Sequence, residues 1–350
     1  QFAEALRGLQ YVCQTENDVV TLTCSGTGAM EAALVNVVPR GGKALVIEAG
    51  VFARRWSEIA TAFGVEVVRL PVPWGAAVDP AEVARLLAQH PDCQAVFATL
   101  MESSTGVGHD IAALGQVVRP TPALLVVDGI SGVGAIECRP DAWGIDLLVV
   151  GSQKALMLPP GLAFLAVSEA AWRHMDSIER QAFYFDLLKY RRKLHEGPDT
   201  PWTPNHVLIG GLVETLRIIQ AAGIEQLWQR TALLAEATRA GLDALGLALF
   251  AERPAAGMSA VRVPPGVDGG ALLERLERRF GIKLAGGQDQ LKGKIFRIAH
   301  FGQLDELDML GALAGLEMVL DELGLPVQFG SAIAAASKVF QAIQPASGAA

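Results

Sequence analysis

The sequence has little of what would mark a secreted, metal-bound or membrane-borne protein. Its four cysteines, Cys13, Cys24, Cys93 and Cys138, form no C-x-x-C pair, so a disulfide framework or thiolate zinc site lacks its usual spacing. They are expected to be reduced and mostly buried as small hydrophobes. The six histidines include no H-x-x-x-H or H-x-H pair, and no metal site is expected. No apolar run approaches the length of a membrane span, and the longest, such as Ile145 to Val150, suit buried strands. The N-terminus lacks the basic start, apolar middle and small-residue cleavage site of a secretory leader, so the cytoplasm is the expected compartment. Positive charge is also short. With 29 Lys and Arg against 37 Asp and Glu the net charge is -8, which argues against a nucleic-acid partner or an anionic membrane surface.

What is present is a large apolar complement. A chain of 350 residues, 51% hydrophobic and 19% charged, is long enough for two domains around sizeable cores. Short β-rich runs alternate with helical stretches through the first two-thirds. Strands are predicted at Val19–Thr23, Lys43–Glu48, Glu66–Leu70, Ala95–Thr99, Ala123–Asp128, Ile145–Val150 and Leu162–Val167, with helices at Ala29–Val37, Ala53–Phe63, Pro80–Ala88 and Asp110–Val118 between them. Several strands are apolar on both faces, as central strands of a mainly parallel sheet covered by helices must be. The charged and then Pro-rich stretch near 184–205 reads as a crossover loop. Helices at His206–Ala222 and Ile224–Leu245 follow, and then a smaller α+β unit built on "KIFRIAH" and a helix at Leu304–Leu323. The tail from Val327 is Ala-rich, with a short helix predicted before a flexible "QPASGAA" end. The expected division is a large domain over 1–226 and a small one over 227–350.

Three segments have the makings of a site. In "TLTCSGTGAMEAALVNV" a strand ends in Ser25-Gly26-Thr27-Gly28 and a helix begins at once. The free first-turn N–H groups and the positive end of the helix dipole suit a phosphate, although many such turns use glycine for geometry alone. Asp128 closes the apolar strand "ALLVVD", at the strand end where open α/β sheets place ligands; the bland alternative is an Asp that caps the next turn. Lys154 lies between two apolar segments in "IDLLVVGSQKALMLPPG". Desolvation there would depress its pKa and make it a usable nucleophile or base. Together, a phosphate cradle, a buried carboxylate and a semi-buried lysine are the parts that a pyridoxal 5'-phosphate (PLP) site requires.

"CSGTGAMEAALVNV", "MESSTGV", "LLVVDGISGVGA" and "GIDLLVVGSQKALMLPPGLAF" resemble, in order and spacing, the class V aminotransferases of fold type I, the alanine–glyoxylate and serine–pyruvate aminotransferases in particular. The resemblance implies a seven-stranded, mainly parallel sheet in a large α/β domain with a smaller α+β C-terminal domain. It also implies a homodimer with shared sites and PLP as cofactor, with an amino group passing by a ping-pong route from alanine or serine to glyoxylate or pyruvate. Residue by residue, it makes Lys154 the Schiff-base lysine, Asp128 the partner of the ring nitrogen, and Ser25, Gly26, Thr27 and Gln153 the holders of the phosphate. Ser103 is placed at the ring hydroxyl and Phe52 is stacked on the ring. Thr200 and Thr203 reach the phosphate of the neighbouring subunit, and Arg297 holds the substrate carboxylate. Two departures stand out. The family often has Trp followed by Gly where this chain has Phe52-Ala53, and its Pro/Gly-rich opening segment has no match here, so an absent segment or an unusual substrate mouth is expected. Aminoethylphosphonate transamination is the alternative within the family. A desulfurase lacks its loop cysteine, a dinucleotide oxidoreductase leaves "SQKAL" unexplained, and intact Lys154, Asp128 and Arg297 argue against a non-catalytic accessory subunit.

Overall fold

The computed structural model describes residues 1–342 of the chain, so the "QPASGAA" end lies outside the described residues. Its strands are β1 (Asp18–Leu22), β2 (Lys43–Glu48), β3 (Glu66–Pro71), β4 (Cys93–Thr99), β5 (Met101–Glu102), β6 (Val107–Gly108), β7 (Leu124–Asp128), β8 (Leu147–Gly151), β9 (Ala163–Val167), β10 (Met258–Arg262), β11 (Ala285–Gly286) and β12 (Ile295–Ala299). The helices of the first two-thirds are α1 (Phe2–Cys13), α2 (Gly26–Val37), α3 (Val51–Ala62), α4 (Pro80–Gln89), α5 (Ile111–Val118), α6 (Pro140–Trp143), α7 (Glu169–Ser177) and α8 (Leu187–Glu196). The remainder holds α9 (His206–Ala222), α10 (Ile224–Ala244), α11 (Gly269–Phe280), α12 (Glu306–Glu322) and α13 (Ser331–Ala342).

Seven strands form the central sheet in the order β1-β9-β8-β7-β4-β2-β3. β9 runs antiparallel to both neighbours, and the other pairings are parallel. Successive residues point to opposite faces of a strand, and here both faces are apolar. Val96, Leu125 and Leu148 join one buried cluster while Phe97, Val126 and Val149 join another. Helices therefore have to cover both sides, which is the architecture that the strand pattern predicts. Short caps set where they begin: Asp79 accepts from Ala81 N ahead of Pro80, and Asp110 accepts from Ala113 N at 3.0 Å. Because β1, β4, β7 and β8 run the same way, their C-terminal ends open on one edge, and the loops there carry Ser25, Ser103, Asp128 and Lys154.

The crossover loop expected at 184–205 is corrected: residues 187–196 form α8. Leu187 and Tyr190, one turn apart, bury against the sheet, and that apolar pair outweighs the charges between them. Among the described residues no single helix is long and apolar enough to cross a membrane; α9 and α10 together reach the length but are bent by 81°. Cys13, Cys93 and Cys138 are buried and Cys24 is half-buried, all four as free thiols.

A separate hydrophobic cluster forms behind the three-stranded sheet β10-β12-β11, from α10, α11, α12 and α13. The helix α13 is anchored by the buried Glu317, whose Oε2 accepts from Gly330 N at 2.7 Å and Oε1 from Ala332 N at 2.8 Å. Glu317→Ala leaves both donors unpaired and is expected to lower stability by about 2–3 kcal/mol in urea unfolding. Amide exchange should then rise across 331–342, and an unchanged exchange rate there would refute the anchor.

Candidate active site

The four strand ends enclose a cavity of about 150 Å³, lined by Ser25, Gly26, Thr27, Met30, Phe52, Arg55, Met101, Ser103, Asp128, Ile130, Ser131, Gln153 and Lys154. Eight of the residues singled out in the sequence thus share one wall. Ser25 starts α2 without a side-chain cap, and no acidic residue sits in the first turn, so the N–H groups of Gly26, Thr27 and Gly28 face outward with the dipole uncompensated. Gly26 packs closely here: a Cβ there would lie 2.6 Å from Ile130 Cδ1, and that side chain would have to shift.

Asp128 is buried at the end of β7, and its Oδ1 accepts from Ile130 N at 2.9 Å. The turn-capping reading of this residue is therefore met, and the same residue also lines the cavity. Burial pushes its carboxyl up to about 7, helped by the Glu102 charge, while the Ile130 hydrogen bond opposes the shift. Lys154 is pulled down from its ordinary value, first by burial and then by the Arg297 cation, with Asp128 opposing. Gln153 Oε1 is buried without a hydrogen-bond partner. A carboxylate and an amine lining one cavity, each shifted toward its neutral form, are poised for proton transfer or condensation.

Arg297 belongs to β12 in the small sheet and is not part of this cavity wall. It reaches the wall through Ser103, whose carbonyl accepts from Nη1 at 2.6 Å, while Gly286 O accepts from Nε at 3.0 Å. It also lines a cavity of about 670 Å³ on the small-domain side. Thr200 and Thr203 are not brought to the cavity of their own chain. Thr200 Oγ1 donates to Trp202 O at 2.6 Å, and Thr203 is exposed.

Two residues with no role in the sequence reading shape the site. Glu102 is fully buried and caps α3 from outside: its Oε2 accepts from Ala53 N at 2.8 Å, while Ser104 Oγ accepts from Val51 N at 3.0 Å. A Cβ on Gly50 would lie 2.5 Å from Glu102 Cγ, so the glycine makes the approach possible. The cap fixes the first turn of α3, which carries Phe52. Arg55, one turn later, stands 5.0 Å from the Phe52 ring centroid. The i, i+3 spacing from an aromatic next to the site was the available signal for Arg55. Glu102 was legible only as the residue before Ser103.

The raised pKa of Asp128 has a consequence for stability. In the unfolded chain its carboxyl ionises near 3.8 and in the cofactor-free fold near 7. The penalty is absent below pH 4, grows between pH 4 and 7 and is complete above that, at up to about 4 kcal/mol. Asp128→Asn is therefore expected to raise the Tm of cofactor-free protein at pH 8 and to leave it unchanged at pH 4. Equal Tm values for the two proteins at both pH values would contradict the assignment.

Comparison with known proteins gives this site a family. Residues 1–297 match the sequence profile described as Aminotransferase class-V. A protein named soluble hydrogenase, small subunit, from Synechococcus sp. (strain PCC 6716) is 40% identical, over 95% of this chain and 88% of its own length. The L-aspartate–glyoxylate aminotransferase of Paracoccus denitrificans is 36% identical over 96% of this chain and 87% of its own. The serine–glyoxylate aminotransferase of Methylorubrum extorquens is 36% identical over 92% and 83%. The crystal structure of pyridoxamine–pyruvate aminotransferase from Mesorhizobium loti superposes with a TM-score of 0.92 at 29% identity, covering 97% of this chain and 88% of that one. The chain belongs to the class V aminotransferases, a PLP-dependent family of fold type I.

Proposed function

We propose that the protein moves the amino group of a small amino acid, alanine or serine, to glyoxylate or pyruvate, with PLP held at Lys154. The observation that carries this reading is the cavity itself, where Lys154, Asp128 and the uncapped start of α2 converge. Each feature fits a part of the cofactor. The N–H groups of the first turn of α2 and the unpartnered Gln153 suit the phosphate, and the buried Asp128 carboxylate wants a cation such as a protonated ring nitrogen. Ser103 and Phe52 line the space between them.

When bound, PLP supplies an electron sink conjugated to the substrate nitrogen. Asp128 would hold the ring nitrogen in its protonated form. Lys154, its amine held toward the neutral form by burial and by the Arg297 charge, would be the residue that holds PLP. The same amine would move the proton at the substrate Cα. Arg297 offers a planar guanidinium for bidentate binding of the α-carboxylate. Its hydrogen bonds to Ser103 O and Gly286 O hold it between the two sheets.

Thr200 and Thr203 lie away from their own cavity, as expected if they serve the phosphate of a second subunit in a homodimer. The division into 1–226 and 227–350 is supported by the hydrophobic clusters: one ends at Trp228 and the next begins at Leu234. The relative named a hydrogenase subunit points to an accessory role, but an assembled Lys154, Asp128 and Arg297 favours the enzyme.

A donor–acceptor panel tests the function. Alanine or serine with glyoxylate should give parallel double-reciprocal lines, the mark of a ping-pong route. Transfer from aspartate alone would move the donor class toward that of the Paracoccus relative, and transfer from aminoethylphosphonate alone would overturn the α-carboxylate role of Arg297. Arg297→Lys is expected to raise KM for both the amino acid and the oxo acid by about tenfold or more, because a point charge cannot reproduce the two-pronged contact. An unchanged KM would remove Arg297 from the substrate.

A further inference from the structure

The cavity has a charge problem that the residues assigned so far do not solve. A phosphate monoester carries about -1.5 to -2 charges near neutral pH, and the start of one helix offsets only about half a charge. Ser25, Gly26, Thr27 and Gln153 bring dipoles and no formal charge. The cavity wall holds two cationic side chains, Lys154 and Arg55. Lys154 is the residue that would hold the aldehyde carbon, and its amine is already pulled toward the neutral form.

We propose that Arg55 is the cationic ligand of the cofactor phosphate, a role that rests on the cofactor reading above. Its Nη1 donates to Thr27 Oγ1 at 3.0 Å, which places the guanidinium at the turn where α2 begins. That bond uses one of five donors. Among the described residues no carboxylate pairs with Arg55, whereas the preceding Arg54 is committed elsewhere, 2.7 Å from Asp289 and 3.6 Å from Glu58. Two adjacent arginines on one helix thus have different fates, and the one facing the cavity keeps its charge available. The side chain is also held in place. The Phe52 ring lies against its guanidinium, and the Glu102 and Ser104 caps fix the helix turn that carries both. A planar guanidinium fits two phosphate oxygens at once.

The test compares binding of PLP with binding of pyridoxal, which has the aldehyde and ring but no phosphate, through the absorbance change on titration. Arg55→Gln is expected to weaken PLP about 30-fold, the size of one lost charge-assisted contact, and to leave the affinity for pyridoxal unchanged. Arg55→Lys keeps the charge and should restore much of the PLP affinity, which also controls for misfolding. Equal losses for both aldehydes, or no loss for either, would overturn the role while leaving the cofactor reading intact. If the wild-type protein takes up neither compound, the cofactor reading itself falls, and this role falls with it.

Discussion

The structure depends on a carboxylate placed where water is scarce. Asp128 ends a strand buried on both faces, and only the Ile130 amide donates to its Oδ1. A buried anion of this kind is costly unless a cation arrives. The fold sets Lys154 past the neighbouring strand end, lining the same cavity. The opposed charges lower each other's cost, but burial dominates both and holds each toward its neutral form.

The rest of the cavity follows from sheet topology. Four strands of common direction end on one edge, so four separate loops arrive at one place without any long-range pairing of their own. The glycines at 26 and 50 let backbone and side chains approach more closely than a Cβ would permit. Glu102 illustrates how deep the support goes. It touches none of the reacting positions, yet it satisfies the start of α3 and thereby sets Phe52 and Arg55. A second charge at the boundary, Arg297, ties the small sheet to the Ser103 carbonyl.

Much of this was legible in the sequence. The apolar strands, the turn "SGTG", the strand-end Asp128 and the lysine between two hydrophobic segments are local patterns, and local patterns survive folding. Contacts between residues distant in sequence were not legible. The pairing of Arg55 with Thr27 joins residues of two helices, and Glu102 caps a helix that begins about fifty positions earlier; neither leaves a periodic trace. The helix α8 was hidden for another reason: the charges in "LLKYRRKLHE" mask the buried pair Leu187 and Tyr190. The small-domain elements were read correctly in kind, but nothing in "KIFRIAH" alone shows that its arginine bonds to the carbonyl of Ser103, just after β5.

The central claim is that the amine of Lys154 carries the cofactor. Borohydride reduction of PLP-loaded protein, followed by proteolysis and mass mapping of the peptides, tests it directly. A phosphopyridoxyl mass is expected on the peptide that contains Lys154 and on no other; an unmodified Lys154, or a label on a different lysine, would contradict that role.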